Sequence, residues 1–197
     1  SDQIGGNVVE IATDNARIIL DCGKNLPPLD GAPAEDIFEL EGLTGGESRY
    51  DAVFITHYHS DHSGLAQRIN RDIPIYASNE TASVLGVIAD FIGAEPPRIS
   101  RTLQPGEPVV VGDIELIPIP VHHSAAGAMM FLIRAEGKQL LYTGDFSGID
   151  ETYLALMGHI DALVCEGTNI GARSDKTEEY IMGEAFKIMQ SSGQNVF

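Results

Sequence analysis

Five of the six histidines fall in two short clusters, with His159 alone. His57, His59 and His62 share the segment His57-Tyr58-His59-Ser60-Asp61-His62, and His122 and His123 are adjacent. The segment follows residues 51–56 (DAVFIT), a short apolar run that ends abruptly in polar residues. That is the pattern of a buried strand delivering a loop at its carboxyl end. In extended chain, residues two apart point to the same side, so His57 and His59 can converge on one point while Asp61 and His62, after a turn, face a second. Imidazoles and a carboxylate crowded this closely repel or desolvate one another unless something compensates them, and a divalent cation is the natural counterpart. A single histidine in a polar loop is ordinarily just solvated; this spacing at the end of a buried strand is a different pattern.

Around that segment the chain reads as alternating short strands and helices punctuated by Gly and Pro. Residues 7–13 (NVVEIAT) and 17–21 (RIILD) form two expected strands joined by a turn at Asp14-Asn15. Residues 23–46, with Pro27, Pro28 and Pro33, read as mostly loop with a short helix near 35–40, long enough to be a cover. A helix is expected over 62–71, a strand over 73–77, and a helix over 80–92 capped by Ser78 or Asn79 and stopped by Gly93. Further strands are expected over 108–111, 114–121, 128–134, 139–143 and 160–165, with helices over 150–157 and 177–190. Hairpins followed by strand and helix alternation indicate an α/β sandwich of two sheets with helices outside.

Composition sets the outer limits. The 197 residues carry a net charge of −17 and are 43% hydrophobic, enough for one domain with a core, which disfavours disorder or a coiled coil. No apolar run approaches the roughly 18 residues of a membrane span, and the start lacks a basic region followed by an apolar stretch. We expect a soluble, cytoplasmic protein with no membrane partner; Ser1 at the start is compatible with a processed or engineered terminus. Cys22 and Cys165, far apart and each in a strand-like setting, are expected to be inert buried thiols. Charge alone opposes a basic nucleic-acid-binding face.

The segment HYHSDH resembles the His-x-His-x-Asp-His signature of the metallo-β-lactamase fold hydrolases. The resemblance continues in order. Val121-His122-His123-Ser124 is similar to the third-histidine motif, residues 140–146 (LLYTGDF) to the strand with the bridging aspartate, and residues 18–23 (ILDCG preceded by Ile18) to the first motif. It spans roughly residues 4–170. It implies an αββα sandwich and two divalent ions, Zn²⁺ first and Mn²⁺ or Fe as alternatives. One site would be formed by His57, His59 and His123 and the second by Asp61 and His62, with Asp145 bridging. The spacing His-Ser-x-x-Gly from His123 to Gly127 matches a subgroup that uses this histidine, which leaves His122 a neighbour. The ions would share a water and lower its pKa, the resulting hydroxide would attack, and Asp61 would orient it as the catalytic carboxylate. Asp21 would support the metal loop from behind, and His159 is read as structural or surface. No Gly-rich phosphate loop and no Ser or Cys nucleophile motif stands out.

Three features resemble the β-CASP branch, particularly ribonuclease J-like proteins: the His-Ser-x-x-Gly motif, the Thr-Gly-Asp-Phe motif, and residues 164–168 (VCEGT), where Glu166 belongs to an additional motif near the active site. The opening Ile4-Gly5-Gly6-Asn7 fits as well. The family's last histidine has no counterpart after Asp145, since His159 precedes Glu166. Residues 1–197 are therefore expected to be the N-terminal portion of a metallo-β-lactamase-like domain, incomplete at the C-terminus, with the β-CASP insertion absent and the second metal site weaker. The resemblance implies a metal-dependent phosphodiesterase or ribonuclease acting on RNA or another phosphodiester. The alternatives are a small-molecule hydrolase of a thioester, lactone or ester, and an inactive fragment working through partner contacts. A homo-oligomer is compatible with either.

Overall fold

In a computed structural model of the chain, the described residues are 5–27 and 39–166. β1 (Val9–Ala12) and β2 (Arg17–Leu20) form the opening hairpin, Val9 opposite Leu20. β2 then pairs in parallel with β3 (Ala52–Phe54), β3 with β4 (Ile75–Ser78), and β4 with β5 (Ile99–Leu103), giving a five-stranded sheet in sequence order. The second sheet is built on β7 (Ile114–His122), β8 (Met129–Ala135) and β9 (Lys138–Tyr142), an antiparallel meander. β6 (Val109–Val111) and β10 (Gly148–Ile149) pair with the start and end of β7, and β11 (Ala162–Val164) runs parallel to β9 at the edge.

Period-two alternation decides which side chains meet. Ile18, Leu20, Ala52 and Phe54 point into the space between the sheets, where Leu116, Phe131, Ile133 and Tyr142 come from the other side. Phe54 stacks on Tyr76 at 4.8 Å between ring centroids and meets Phe131 edge-on at 6.1 Å. Full burial of rings like these contributes about 2–3 kcal/mol each. The intervening residues Ile19, Val53 and Ile55 point the other way and pack with Leu65, Ala66 and Ile69. On the far side of the second sheet, Ile117, Ile119, Met130 and Leu132 pack against Tyr153 and Met157 of α3 (Glu151–Met157). The layers are helix, sheet, sheet, helix, as expected.

α2 (Asn79–Ile92) begins and ends where its capping residues stand. The Ser78 side chain accepts from Thr81 N at 3.0 Å, and Gly93 sits at φ 67°, with the Ala94 N–H donating to Ala89 O at 2.9 Å. The expected helix over 62–71 is not one helix. It is α1 (Ser60–Ser63), a break, and a 3₁₀ turn at Ala66–Arg68. The cause is tertiary: His62 O accepts from Cys22 N, Leu65 N donates to Cys22 O, and Asp61 O accepts from Asn7 N, so neighbouring segments take the groups a helix would use. Cys22 is buried as expected, but Cys165 is exposed. On the edge strand β11, Val164 faces the core, and alternation turns Leu163 and Cys165 outward. Residues 28–38 of the loop cover, with most of its expected short helix, the helix over 177–190, Gly167-Thr168 and Ile4 lie outside the described residues. No helix among the described residues is long and apolar enough to cross a membrane.

Candidate metal centre

The carboxyl ends of β2, β3, β7, β9 and β11 come together at one end of the sandwich. There they bring Asp21, the 56–62 segment, His123, Asp145 and Glu166 into one region. The Met129 N–H donates to Thr56 O at 3.0 Å and ties the two sheets there. The segment after β3 turns as tightly as it does because residues 5–7 and 22–24 hold its backbone. Asn7 N donates to Asp61 O (3.0 Å), Cys22 N to His62 O (2.7 Å) and Lys24 N to Ser60 O (2.8 Å). A Cβ on Gly23 would stand 1.6 Å from Asp61 O, so only glycine permits this approach.

Two groups of donor atoms result. One atom each from His57, His59, His123 and Asp145 lies within 4.8 Å of the others, and so does one each from Asp61, His62 and Asp145. Asp145 belongs to both groups. His59 Nδ1 is 3.1 Å from His57 Nε2 and 3.2 Å from His123 Nε2. The edge of a tetrahedron with Zn–N near 2.05 Å is about 3.3 Å, so these three nitrogens fit a divalent ion of that kind. In the second group, His62 Nε2 lies 3.2 Å from Asp145 Oδ1 and 3.6 Å from Asp61 Oδ2. His122 is exposed on β7, where its carbonyl accepts from Ser147 N, and is in neither group. His159 is exposed, 3.6 Å from Asp161.

The ring orientations are set from behind. Asp21 is fully buried; its Oδ2 lies 2.7 Å from His62 Nδ1 and accepts from Tyr142 OH at 2.8 Å, and its Oδ1 accepts from Thr56 N at 2.7 Å. A carboxylate at Nδ1 leaves Nε2 as the outward-facing atom of His62. The Thr56 hydroxyl is 2.9 Å from Asp21 Oδ2 and 3.0 Å from His57 Nδ1. Donating to the carboxylate, it accepts from Nδ1 and turns His57 Nε2 toward the cluster. Gly144, at φ 52°, lets the Asp145 turn close on Thr56, where a Cβ would stand 2.9 Å from the methyl carbon. Glu166 Oε1 accepts from Phe146 N at 3.3 Å, beside Asp145 and outside both donor groups.

Charge follows geometry. Burial, then the neighbouring imidazoles of His62, His59 and His123, push His57 down to about 2, so it is a neutral ring with a free lone pair. Burial alone would lower His62, but its hydrogen bonds to Asp145 and Asp21 outweigh that and raise it to about 10. The His62 hydrogen bond holds Asp145 below the usual carboxylate range. His123 is lowered, chiefly by burial. Thr56, Tyr142 and Asn7, whose amide nitrogen lies 3.0 Å from His62 Nε2, were not singled out from sequence. For Thr56 and Tyr142 the available signal was a hydroxyl inside an otherwise apolar strand end; for Asn7 it was a polar residue after two glycines.

Residues 16–191 match the model of the Beta-lactamase superfamily domain. Ribonuclease J from Helicobacter pylori is 26% identical over 155 residues, covering 76% of this chain and 22% of that protein. Ribonuclease J from Corynebacterium glutamicum is 26% identical over 222 residues, covering 99% of this chain and 30% of that protein. The chain thus spans less than a third of the length of these curated relatives. Among solved structures, a protein of unknown function from Enterococcus faecalis V583 superposes with a TM-score of 0.72 at 25% identity, over 89% of this chain and 50% of that one.

Proposed function

The chain belongs to the beta-lactamase superfamily, and on that footing we propose that it is a metal-dependent phosphodiesterase that cuts RNA, of the ribonuclease J-like, β-CASP type. The observation that carries the reading is Asp145: it is shared by two donor groups, on a chain similar to ribonuclease J over most of its described length. In this proposal residues 1–197 are the metallo-β-lactamase-like portion of such an enzyme, acting in the cytoplasm.

His57 Nε2, His59 Nδ1, His123 Nε2 and Asp145 would hold one divalent ion, and Asp61, His62 and Asp145 a second, with Zn²⁺ the first choice and Mn²⁺ or Fe compatible. A bound pair supplies Lewis acidity toward a phosphoryl oxygen and brings the pKa of water toward neutrality, so no side-chain base is required. Asp61, whose Oδ2 is 3.6 Å from His62 Nε2, orients the attacking oxygen. The neutral His57 keeps its lone pair on Nε2 because Thr56 occupies Nδ1. Asp21, accepting from His62 Nδ1–H, aims His62 Nε2 at the second donor group, where the extra proton that His62 carries without metal would be displaced by a bound ion. Glu166 holds the backbone of the Asp145 turn through Phe146 N.

The net charge of −17 favours a second reading, a small-molecule hydrolase acting on a thioester, lactone or ester. One comparison separates them. The full chain, stripped with chelator and reloaded with Zn²⁺ or Mn²⁺, is expected to cut single-stranded RNA, and His59→Ala or Asp145→Asn lowers the rate by roughly 100-fold or more, since loss of outer-shell partners alone costs 10–100-fold. Metal-dependent hydrolysis of a chromogenic thioester or ester with RNA left intact would overturn the nuclease reading.

A further inference from the structure

A groove of about 330 Å³ opens beside the metal centre, between the 56–64 turn and α2. His59, one of the donors, forms part of its wall, so the groove abuts the site there. Its two sides differ chemically. Lys24 and Ser60 line one, and Leu85, Ile88 and Ile92 from a single face of α2 line the other. Ile88 and Ile92 are 40% and 61% exposed, so the α2 wall presents aliphatic surface to the groove.

Lys24 is the cation of this groove in a chain of net charge −17. Its stem packs on Gly64, where a Cβ would stand 2.7 Å from Lys24 Cγ. Its backbone N–H is committed to Ser60 O. The side chain is exposed and makes no ion pair with any described residue, in contrast to Arg17, Arg49 and Arg134, which pair with Glu10, Glu41 and Glu115. A positive head held free at one side and an aliphatic wall at the other match an anionic group joined to a flat apolar one. A nucleotide has that combination, phosphate and base within one unit.

We propose that this groove is a subsite for a nucleotide of the RNA strand adjoining the scissile phosphodiester, with Lys24 paired to its phosphate and its base resting on Leu85, Ile88 and Ile92. The assignment rests on the nuclease reading and adds where the strand lies: across His59 and along α2. Lys24 is the residue that meets the polyanion, and Ile88 supplies base contact without sequence preference, because every base has an apolar face.

The test is fluorescence anisotropy of the metal-loaded full chain with a labelled, cleavage-resistant 2′-O-methyl oligoribonucleotide, repeated across salt concentrations. Lys24→Gln is expected to weaken binding by about fivefold at low salt and to reduce the log–log salt slope by about 0.7, the value for one phosphate contact on a single strand. Ile88→Ser weakens binding by about threefold and leaves the slope unchanged. A wild type that binds the oligonucleotide, with Lys24→Gln leaving affinity and slope unmoved, overturns the groove assignment alone. A wild type that neither binds the oligonucleotide nor cuts RNA removes the nuclease reading and this assignment together. Capture of a fatty-acyl thioester probe that is lost in Ile88→Ser, without RNA binding, assigns the groove to an acyl chain instead.

Discussion

At the scale of single residues, the centre depends on side chains that never reach a ligand. Asp21, at φ 60°, accepts hydrogen bonds from Thr56 and Tyr142 and lies 2.7 Å from His62 Nδ1, and Thr56 in turn reaches His57. The donor types were legible in sequence because histidines two and three apart after a buried strand have few other uses. Their support was less so, since Thr56 and Tyr142 also read as ordinary β-formers in buried strands. The support has a consequence for pH. His57, pushed down to about 2, stays neutral when folded, so stability falls as pH drops below about 6.5 and the unfolded chain takes up the proton. His62, raised to about 10, stays charged when folded; its stabilisation is complete below about 6.5 and is lost as pH rises through 10. Lowered Asp145 adds to the loss on the acid side. Denaturant unfolding of the metal-free protein across pH is expected to show a maximum near pH 6–7. A monotonic rise or fall from pH 4.5 to 9 would contradict the charge states described.

At the scale of elements, the 56–64 turn is shaped by segments distant in sequence. A helix over 62–71 was a reasonable expectation from local pattern, and it fails because Cys22 and Asn7 bond the carbonyls and amide that would propagate it. Local propensity carries no trace of a partner 40 or more residues away. α2 is the opposite case: Ser78, Gly93 and the apolar positions between them carry their own instructions, and the helix runs where the caps stand. The two glycines of these elements should therefore respond with opposite sign. Gly23→Ala drives a methyl into Asp61 O and is expected to cost about 2 kcal/mol, as overpacking does. Gly86→Ala, in α2 with nothing within 4 Å of the new methyl, is expected to stabilise by about 1 kcal/mol. Denaturant midpoints check both. A Gly23→Ala protein as stable as wild type would show that the 22–24 segment does not clamp the turn.

At the scale of the whole molecule, hairpin followed by strand and helix alternation was enough to anticipate two sheets with helices outside. The order and register of strands were not legible, because parallel pairing such as β3 with β4 is decided by the shared core rather than by either strand's own residues. The short strand β10 and the outward turn of Cys165 arise the same way, from position at a sheet edge. Net charge misleads at this scale if read alone. The chain is strongly acidic, yet the donor groups at the strand ends could hold cations, and Lys24, with no ion pair among the described residues, lines the groove that His59 also lines. On the nuclease proposal, the charge that would meet a polyanionic substrate is thus local. Equilibrium dialysis of the chelator-stripped chain against Zn²⁺ or Mn²⁺, followed by elemental analysis, tests the metal centre itself. About two ions per chain are expected, one held more tightly than the other, falling to one or fewer in His59→Ala. No more than trace metal after reconstitution of the wild-type chain would contradict that expectation.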